Sequence, residues 1–341
     1  MRIATYNVEW FSNLFDDEGR LIDDDSWSSR RDVTKAQQTA ALGTVFQALD
    51  ADAVMVIEAP DTSPNRDGVQ ALEHFAQRFG LRARKALMGF ANDTQQEIAL
   101  LYDPDKMQAV HDPQGPQTGG KGDGPRFDGT FKIDLDVDDQ QDKVTFSKPP
   151  LEVSLTLKTG KALRLIGAHL KSKAPHGARN ADAVMRISIA NRRKQLAQCI
   201  WLRERVDAHL AAGEPLIVLG DFNDGPGLDE YEKLFGRSSV EIVMGVGQPA
   251  EKRMLDPHAQ HALSQRIGAR LSTSRFFVRR ENRYLNALLD YIMVSPDLAA
   301  RQPKWHIWHP FDDPDCWRRK DLCEALLTAS DHFPVTLEID L

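Results

Sequence analysis

At 341 residues, with 41% hydrophobic and 27% charged residues, the chain has the composition of an ordinary soluble globular protein, long enough to bury a large core. Its formal net charge of −7 excludes a generally basic, nucleic-acid-coating surface, and no run approaches the roughly 18 apolar residues that span a bilayer. Cys199, Cys316 and Cys323 make neither a disulfide framework nor a zinc-ligand pattern, and the first strand starts almost at Met1 with no signal peptide before it, so a cytoplasmic setting is expected.

Residues 3–8 read as a strand, followed by an acidic, irregular stretch over 13–31. Ala36, Ala40, Leu42, Val45, Phe46 and Leu49 recur at helical spacing and predict an amphipathic helix over 35–49. A buried strand over 53–57 closes on Glu58-Ala59-Pro60, and a helix over 68–79 is stopped by Gly80. A strand over 97–102 ends at Asp103-Pro104. Gly and Pro are dense over 114–129 and an acidic run covers 134–142, which predicts a loop insertion near 112–147. Residues 151–157 alternate as a half-exposed strand, and the apolar run 163–168 leads into His169-Leu170-Lys171-Ser172-Lys173. A long helix over 181–210 precedes the strand 216–219. Residues 245–270 read as irregular, within a second insertion near 245–285, and 288–295 form a strand stopped by Pro296. Prolines and tryptophans crowd 303–318, part of a Trp-rich loop near 303–328, before Ser330-Asp331-His332 and the last strand over 336–339. Some strands are separated by helices and others by hairpins, which predicts sheets with helices outside them, in one domain over 1–341.

A polar group recurs where these strands run out. Asn7 and Glu9 follow the first, Glu58 the second, His169 and Lys171 the run 163–168, and Asp221 and Asn223 the run 216–219. Asp290 lies within its strand, and Asp331-His332 precedes the last. Strand alternation places Asp221 and Asn223 on one side and Phe222 on the other. A carboxylate beside a carboxamide can take a proton or hold a hard cation while donating to an oxyanion, although Gly220-Asp221-Phe222-Asn223 alone is equally a turn.

Together these segments resemble the endonuclease/exonuclease/phosphatase superfamily, the fold of DNase I. The resemblance rests on Thr5-Tyr6-Asn7-Val8-Glu9, Ile57-Glu58, Ala168-His169-Leu170, Gly220-Asp221-Phe222-Asn223, Leu289-Asp290-Tyr291 and Ser330-Asp331-His332-Phe333-Pro334-Val335. It implies an α/β protein, a DNase I-like four-layer αββα sandwich of two packed mixed β-sheets flanked by helices. It also implies divalent-metal-dependent hydrolysis of phosphodiester bonds, with Mg²⁺ or Mn²⁺ on Glu58, Asn7, Glu9 and Asp331. Asp221 would activate the water and Asn223 would hold it or a phosphate oxygen. His332, its tautomer fixed by Asp290, and His169 would hydrogen-bond the phosphate. In two places the chain departs from the family pattern. Glu58 is followed by Ala-Pro, and Lys171-Ser172-Lys173 extends the His-Leu element, where Lys171 is either a phosphate contact or a surface lysine.

The substrate is less defined, because a fold gives reaction class alone. Nine Lys and Arg against two acids over 171–205, Arg192 among them, suit a nucleic-acid path or a solvated helix face, and the Arg–aromatic stretch 274–284 with Arg275 reads equally as such a path or as an exposed β-hairpin with a hydrophobic inner face. The resemblance implies that the Trp-rich loop, with Trp308, borders the cleft. Nucleic acid is therefore the expected partner, with a small-molecule or lipid-head-group phosphate ester as the alternative and a non-catalytic binding module as the minor one. No membrane span and no protein partner are predicted.

Overall fold

Strands that are apolar on both faces must be covered on both faces, and the chain meets that demand by stacking two sheets between layers of helix. The computed structural model describes residues 1–92, 94, 96–135, 141–175, 177–225, 236–264, 271–278 and 282–341. In chain order the elements begin with β1 (Arg2–Asn7), α1 (Lys35–Leu49), β2 (Ala53–Ala59), α2 (Gly68–Arg78), β3 (Lys85–Met88), β4 (Glu97–Tyr102) and β5 (Met107–His111). Next come β6 (Thr118–Gly120), β7 (Thr130–Ile133), β8 (Asp142–Val144), β9 (Leu151–Leu157), β10 (Ala162–His169), α3 (Ala181–Ala211) and β11 (Leu216–Asp221). The last third holds α4 (Ser239–Met244), α5 (Pro257–Ser264), β12 (Ser274–Val278), β13 (Arg283–Ala287), β14 (Asp290–Val294) and α6 (Pro296–Ala299). It ends with β15 (Lys304–Ile307), α7 (Pro314–Arg318), α8 (Lys320–Ala329) and β16 (Val335–Glu338).

The first sheet has the order β15-β16-β1-β2-β4-β3, and the second β14-β11-β10-β9-β5. Each contains one parallel pair, β1 with β2 and β10 with β11, among antiparallel neighbours. The facing surfaces share a core that includes Met55, Ile57 and Leu100 of the first sheet and Val153, Leu165 and Leu219 of the second. Burial of side chains like these contributes on the order of 2 kcal/mol each. The outer face of the first sheet, with Val54 and Val56, is covered by Phe46 of α1, Phe75 of α2 and Leu326 of α8. The outer face of the second, with Ile166 and Val218, is covered by Leu202 and Trp201 of α3. The four-layer α/β sandwich expected from the sequence is thereby formed.

The predicted insertion near 112–147 carries a small sheet, β6-β7-β8, which brings Phe131 onto Trp201 as a stacked pair at 5.3 Å. Two expectations are corrected. Residues 245–270 are not irregular throughout, since α5 forms there with Asp256 accepting from the amides of His258 and Ala259 at its start. Residues 303–318 are not loop throughout: β15 adds an edge strand to β16, and α7 follows after a turn. Helix α8 then buries Leu322, Ala325, Leu326 and Ala329, a helical spacing that the neighbouring prolines and tryptophans obscured. Part of the acidic run, 136–140, the end of the stretch predicted as irregular, 265–270, and Arg279, Arg280 and Glu281 of the Arg–aromatic stretch lie outside the described residues.

Candidate active site

Register builds the second sheet's half of the site. His169 pairs with Asp221 across β10 and β11, and Asp221 pairs with Asp290 across β11 and β14. One row across three strands therefore presents all three side chains to one face. Gly220 makes the close approach possible. Its φ is 136°, and a Cβ there would lie 2.0 Å from the carbonyl oxygen of Ala168.

Asp221 is held by three donors. The amide of Asn223 donates to Oδ1 at 2.7 Å, and the Nδ2 groups of Asn7 and Asn223 donate to Oδ2 at 3.0 and 3.1 Å. Asn223 shares a side with Asp221 because the chain turns there, with φ of 48° at Asn223, rather than because a strand continues. Its Nδ2 also donates to the carbonyl of Leu170. Phe222 points the other way, into the core beneath α3, edge-on to Tyr291.

The first sheet's half is less tightly bonded. Asn7 stands beside Ile57 in the β1–β2 register, and Glu58 follows at a β-bulge with φ of 61°, a conformation that costs a non-glycine residue about 1 kcal/mol or more. Asn7 Oδ1 is buried without a hydrogen-bond partner among the described residues. Burial and nearby acids raise the carboxyl groups of Glu58 and Asp331 to about 7 each, with Glu9 adding to both. Glu9 itself does not join them as an open ligand. Arg30 pairs with one of its carboxylate oxygens and Trp10 Nε1 donates to the other at 2.9 Å. Among the described residues no three His, Cys, Asp or Glu side chains converge as a ready-made metal cluster. The hard oxygens of Glu58, Asp331 and the orphaned Asn7 Oδ1 nonetheless fit a hard divalent cation, which would offset both the crowded acids and the unpaired amide oxygen.

Two histidines flank Asp221, and their surroundings push their pKa values in opposite directions. His332 is fully desolvated, which opposes its charge, yet Asp290, Asp221 and Asp331 raise its pKa well above the usual value. Asp290 Oδ2 lies 2.8 Å from His332 Nδ1 and accepts from Thr273 Oγ1 at 2.8 Å. This fixes the ring and turns Nε2 to the cleft. Burial, then the charges of Lys148 and His332, hold His169 well below its usual pKa, so it is neutral. Its Nε2 lies 3.6 Å from Asp221 Oδ2 and 3.9 Å from Glu58 Oε1. Asp221, raised to about 6 by burial and then balanced between His332 and Asp290, is poised near neutrality, where a general base works best.

Sequence reasoning missed Lys148 and Thr273. Lys148 Nζ lies 3.3 Å from each ring nitrogen of His169, and its charge acts on Glu58. It precedes Pro149-Pro150 at the start of β9, outside any recurrent strand end, and only the pairing of β9 with β10 brings it to the site. Lys171 stands close enough to repel both Lys148 and Lys194, giving a basic rim on this side. Two expected substrate contacts are structural instead. Arg192 is buried and ion-paired to Asp224 at 2.6 Å. Trp308 packs on the core of the first sheet and donates to Thr336 Oγ1 at 3.0 Å. Arg275 does reach the site's edge, its amide donating to the carbonyl of Asp331 at 2.7 Å.

The fold has solved counterparts. A mannosyl-6-phosphatase of Bacteroides thetaiotaomicron VPI-5482 is similar at a TM-score of 0.50 and 16% identity, covering 100% of both chains. Truncated TDP2 of Caenorhabditis elegans is similar at 0.50 and 13%, covering 100% of this chain and 97% of that one. An AP endonuclease of Archaeoglobus fulgidus is similar at 0.50 and 12%, covering 100% of both. At such identities these likenesses speak to fold alone. No curated protein sequence matches the chain. The model of the Endonuclease/Exonuclease/phosphatase family matches residues 4–332, a span that contains every residue of the cleft, so the chain belongs to that family and phosphoester hydrolysis is its class of chemistry.

Proposed function

We propose that the protein hydrolyses phosphodiester bonds in nucleic acid, with Mg²⁺ or Mn²⁺ held by Glu58, Asn7 and Asp331. The observation that carries the hydrolysis is geometric: Asp221, held by Asn7 and Asn223, has His169 Nε2 3.6 Å away on one side and His332, clamped by Asp290 at 2.8 Å, on the other, and these surroundings push the two histidine pKa values in opposite directions. Environments that push neighbouring pKa values apart assign acid and base roles. Asp221 takes the proton of the attacking water, which Asn223 orients. His332, charged through Asp290, donates Nε2–H to the phosphate and stabilises the negative charge that develops there. His169 and Lys148 give the phosphate a second hydrogen-bonding side. When bound, the cation supplies charge neutralisation at the phosphate.

A small-molecule phosphate ester is the second reading, favoured by the net charge of −7. One panel separates them: plasmid DNA, single-stranded RNA, bis-p-nitrophenyl phosphate and p-nitrophenyl phosphate, each with Mg²⁺, Mn²⁺ or EDTA. Metal-dependent cleavage of the polynucleotides is the expected result. Turnover of the small esters alone would remove nucleic acid, and silence on all four would leave a binding module. Titration calorimetry with Mn²⁺ on wild type and Glu58→Gln tests the ligands independently of activity.

A further inference from the structure

A row of six side chains beside the cleft takes no part in this chemistry. Arg31 lies over the Phe277 ring, 3.6 Å from its centroid, and Phe277 meets Tyr284 edge-on at 5.2 Å. Arg275 lies over Tyr284 at 4.0 Å and over Phe311 at 5.1 Å, and Phe311 tilts against Trp317 at 6.3 Å. Cations and rings thus follow one another along a continuous line. Three separate segments supply it: the stretch before α1, the β12–β13 hairpin, and the stretch from β15 into α7. Burial does not account for it, because Tyr284, Phe311 and Trp317 are 49%, 42% and 59% exposed. Aromatic rings are normally put to use away from water, so an exposed line of them marks an interaction surface.

The strand that carries Arg275 and Phe277 is tied to the catalytic machinery through its backbone. Arg275 donates its amide to Asp331, and Ser274 forms a β-bridge with His332. On the opposite face of the same strand, Phe276 packs edge-on against the His332 ring at 5.4 Å.

We infer that the row is a track for single-stranded nucleic acid flanking the scissile phosphate, an inference that rests on the phosphodiesterase reading above. The exposed rings of Tyr284, Phe311 and Trp317 take unpaired bases, and the guanidinium groups of Arg31 and Arg275 take phosphates. Bases in a duplex are already stacked and present no face to such rings, so the track selects unpaired strands. Arg31 also pairs with Asp32 at 3.2 Å, but both are exposed and such pairs are weak, so a phosphate can displace the acid. An aromatic and cationic row continuous with a phosphoester cleft suits a polyanion with π faces better than a protein partner.

The test is fluorescence anisotropy with labelled single-stranded DNA and RNA of about ten nucleotides, in EDTA, with a duplex of equal length beside them. Wild type is expected to bind the single strands and to bind the duplex more weakly. Phe311→Ala combined with Trp317→Ala is expected to weaken single-strand binding at least tenfold, and Trp317→Phe to retain it. Arg31→Gln combined with Arg275→Gln is expected to lower the salt slope of binding by about 1.4, at roughly 0.7 for each single-strand phosphate no longer neutralised. In turnover, the Phe311/Trp317 double variant is expected to lose at least tenfold more kcat/KM on the oligonucleotide than on bis-p-nitrophenyl phosphate. Wild type failing to bind single strands, the double variant binding as tightly as wild type, or equal losses on both substrates would each overturn the track. Absence of small-diester turnover by wild type would instead overturn the phosphodiesterase reading, and the binding arm would still report on the row.

Discussion

The two sheets end in one cleft, but their ends are built on different plans. The second sheet's end is over-determined: Asp221 has three donors, Asp290 clamps His332, and a register row sets His169, Asp221 and Asp290 side by side. The first sheet's end is less satisfied: Glu58 sits on a bulge at positive φ and the carboxyl groups of Glu58 and Asp331 are raised to about 7, while Asn7 Oδ1 here, like Asp290 Oδ1 in the second sheet, is buried without a partner among the described residues. Rigid hydrogen bonding suits groups that must be aimed, whereas unmet acidity suits groups waiting for positive charge. In the proposed function, the contrast gives orientation and proton transfer to the second sheet, and charge capture to the first.

The sharpest way to break that division is Asp221→Asn. It keeps the shape and the bond from the Asn223 amide but removes the base. The expected result is a loss of kcat on a small phosphodiester of roughly 10³-fold, with a melting temperature close to wild type. Residual activity within tenfold of wild type would move the base elsewhere. Asp290→Asn comes next, with a loss of roughly 10²-fold, and its pH profile is the better readout. Asp290 raises the pKa of His332, so the charged ring persists to higher pH than an ordinary histidine. Removing that carboxylate lowers the pKa and shifts the alkaline limb of kcat/KM to lower pH. An unmoved limb would detach His332 from the acid role.

Glu58→Gln tests the other end. The hydrogen bonds that hold the second sheet's end are kept, so the expected defect lies in the cation: a roughly ten- to hundredfold weaker Mn²⁺ affinity, with activity partly recovered at high Mn²⁺. A defect that no metal concentration relieves would make Glu58 part of the proton-transfer machinery instead.

How legible this was in the sequence depended on how local the cause is. The tips of β1, β2, β10, β11 and β14 could be read because buried apolar runs end on Asn7, Glu58, His169, Asp221 and near Asp290, and period-2 patterning is local. Whether Asp221 and Asn223 formed a turn or a site was a false choice: the turn, through Asp221 Oδ1 and the Asn223 amide, is what aims the site. Lys148 was illegible because its proximity to His169 is created by pairing between β9 and β10, not by any pattern around it. Arg192 misled for the opposite reason. Its positive neighbours suggest a surface, while its partner Asp224 lies 32 residues on and makes it a buried strut. Trp308 and α8 fell under prolines and tryptophans whose turn signals outweighed an apolar spacing that was present.

The smallest expected effect is on stability, and it tests the comparison without any substrate. Glu58 and Asp331 have carboxyl groups raised to about 7, first by burial, from ordinary values of 4.5 and 3.8. Folding therefore binds protons at the first sheet's end. Such a contribution is fully present below the unfolded value and is lost as pH rises through the folded one. Metal-free protein is accordingly expected to lose part of its melting temperature as pH rises from about 4 to about 7, and little more above that. A divalent cation needs both groups ionised and expels their protons on binding, so Mg²⁺ or Mn²⁺ should raise the melting temperature more at pH 8 than at pH 5. Other buried acids add their own slopes, Glu97 and Glu152 among them. The decisive quantity is therefore the difference between wild type and Glu58→Gln. Glutamine cannot ionise, so the variant's metal-free curve should be flatter by a few degrees and its response to cation smaller. Parallel curves for the two proteins would mean that the first sheet's end holds no unmet charge, and the division between the sheets would fall with it.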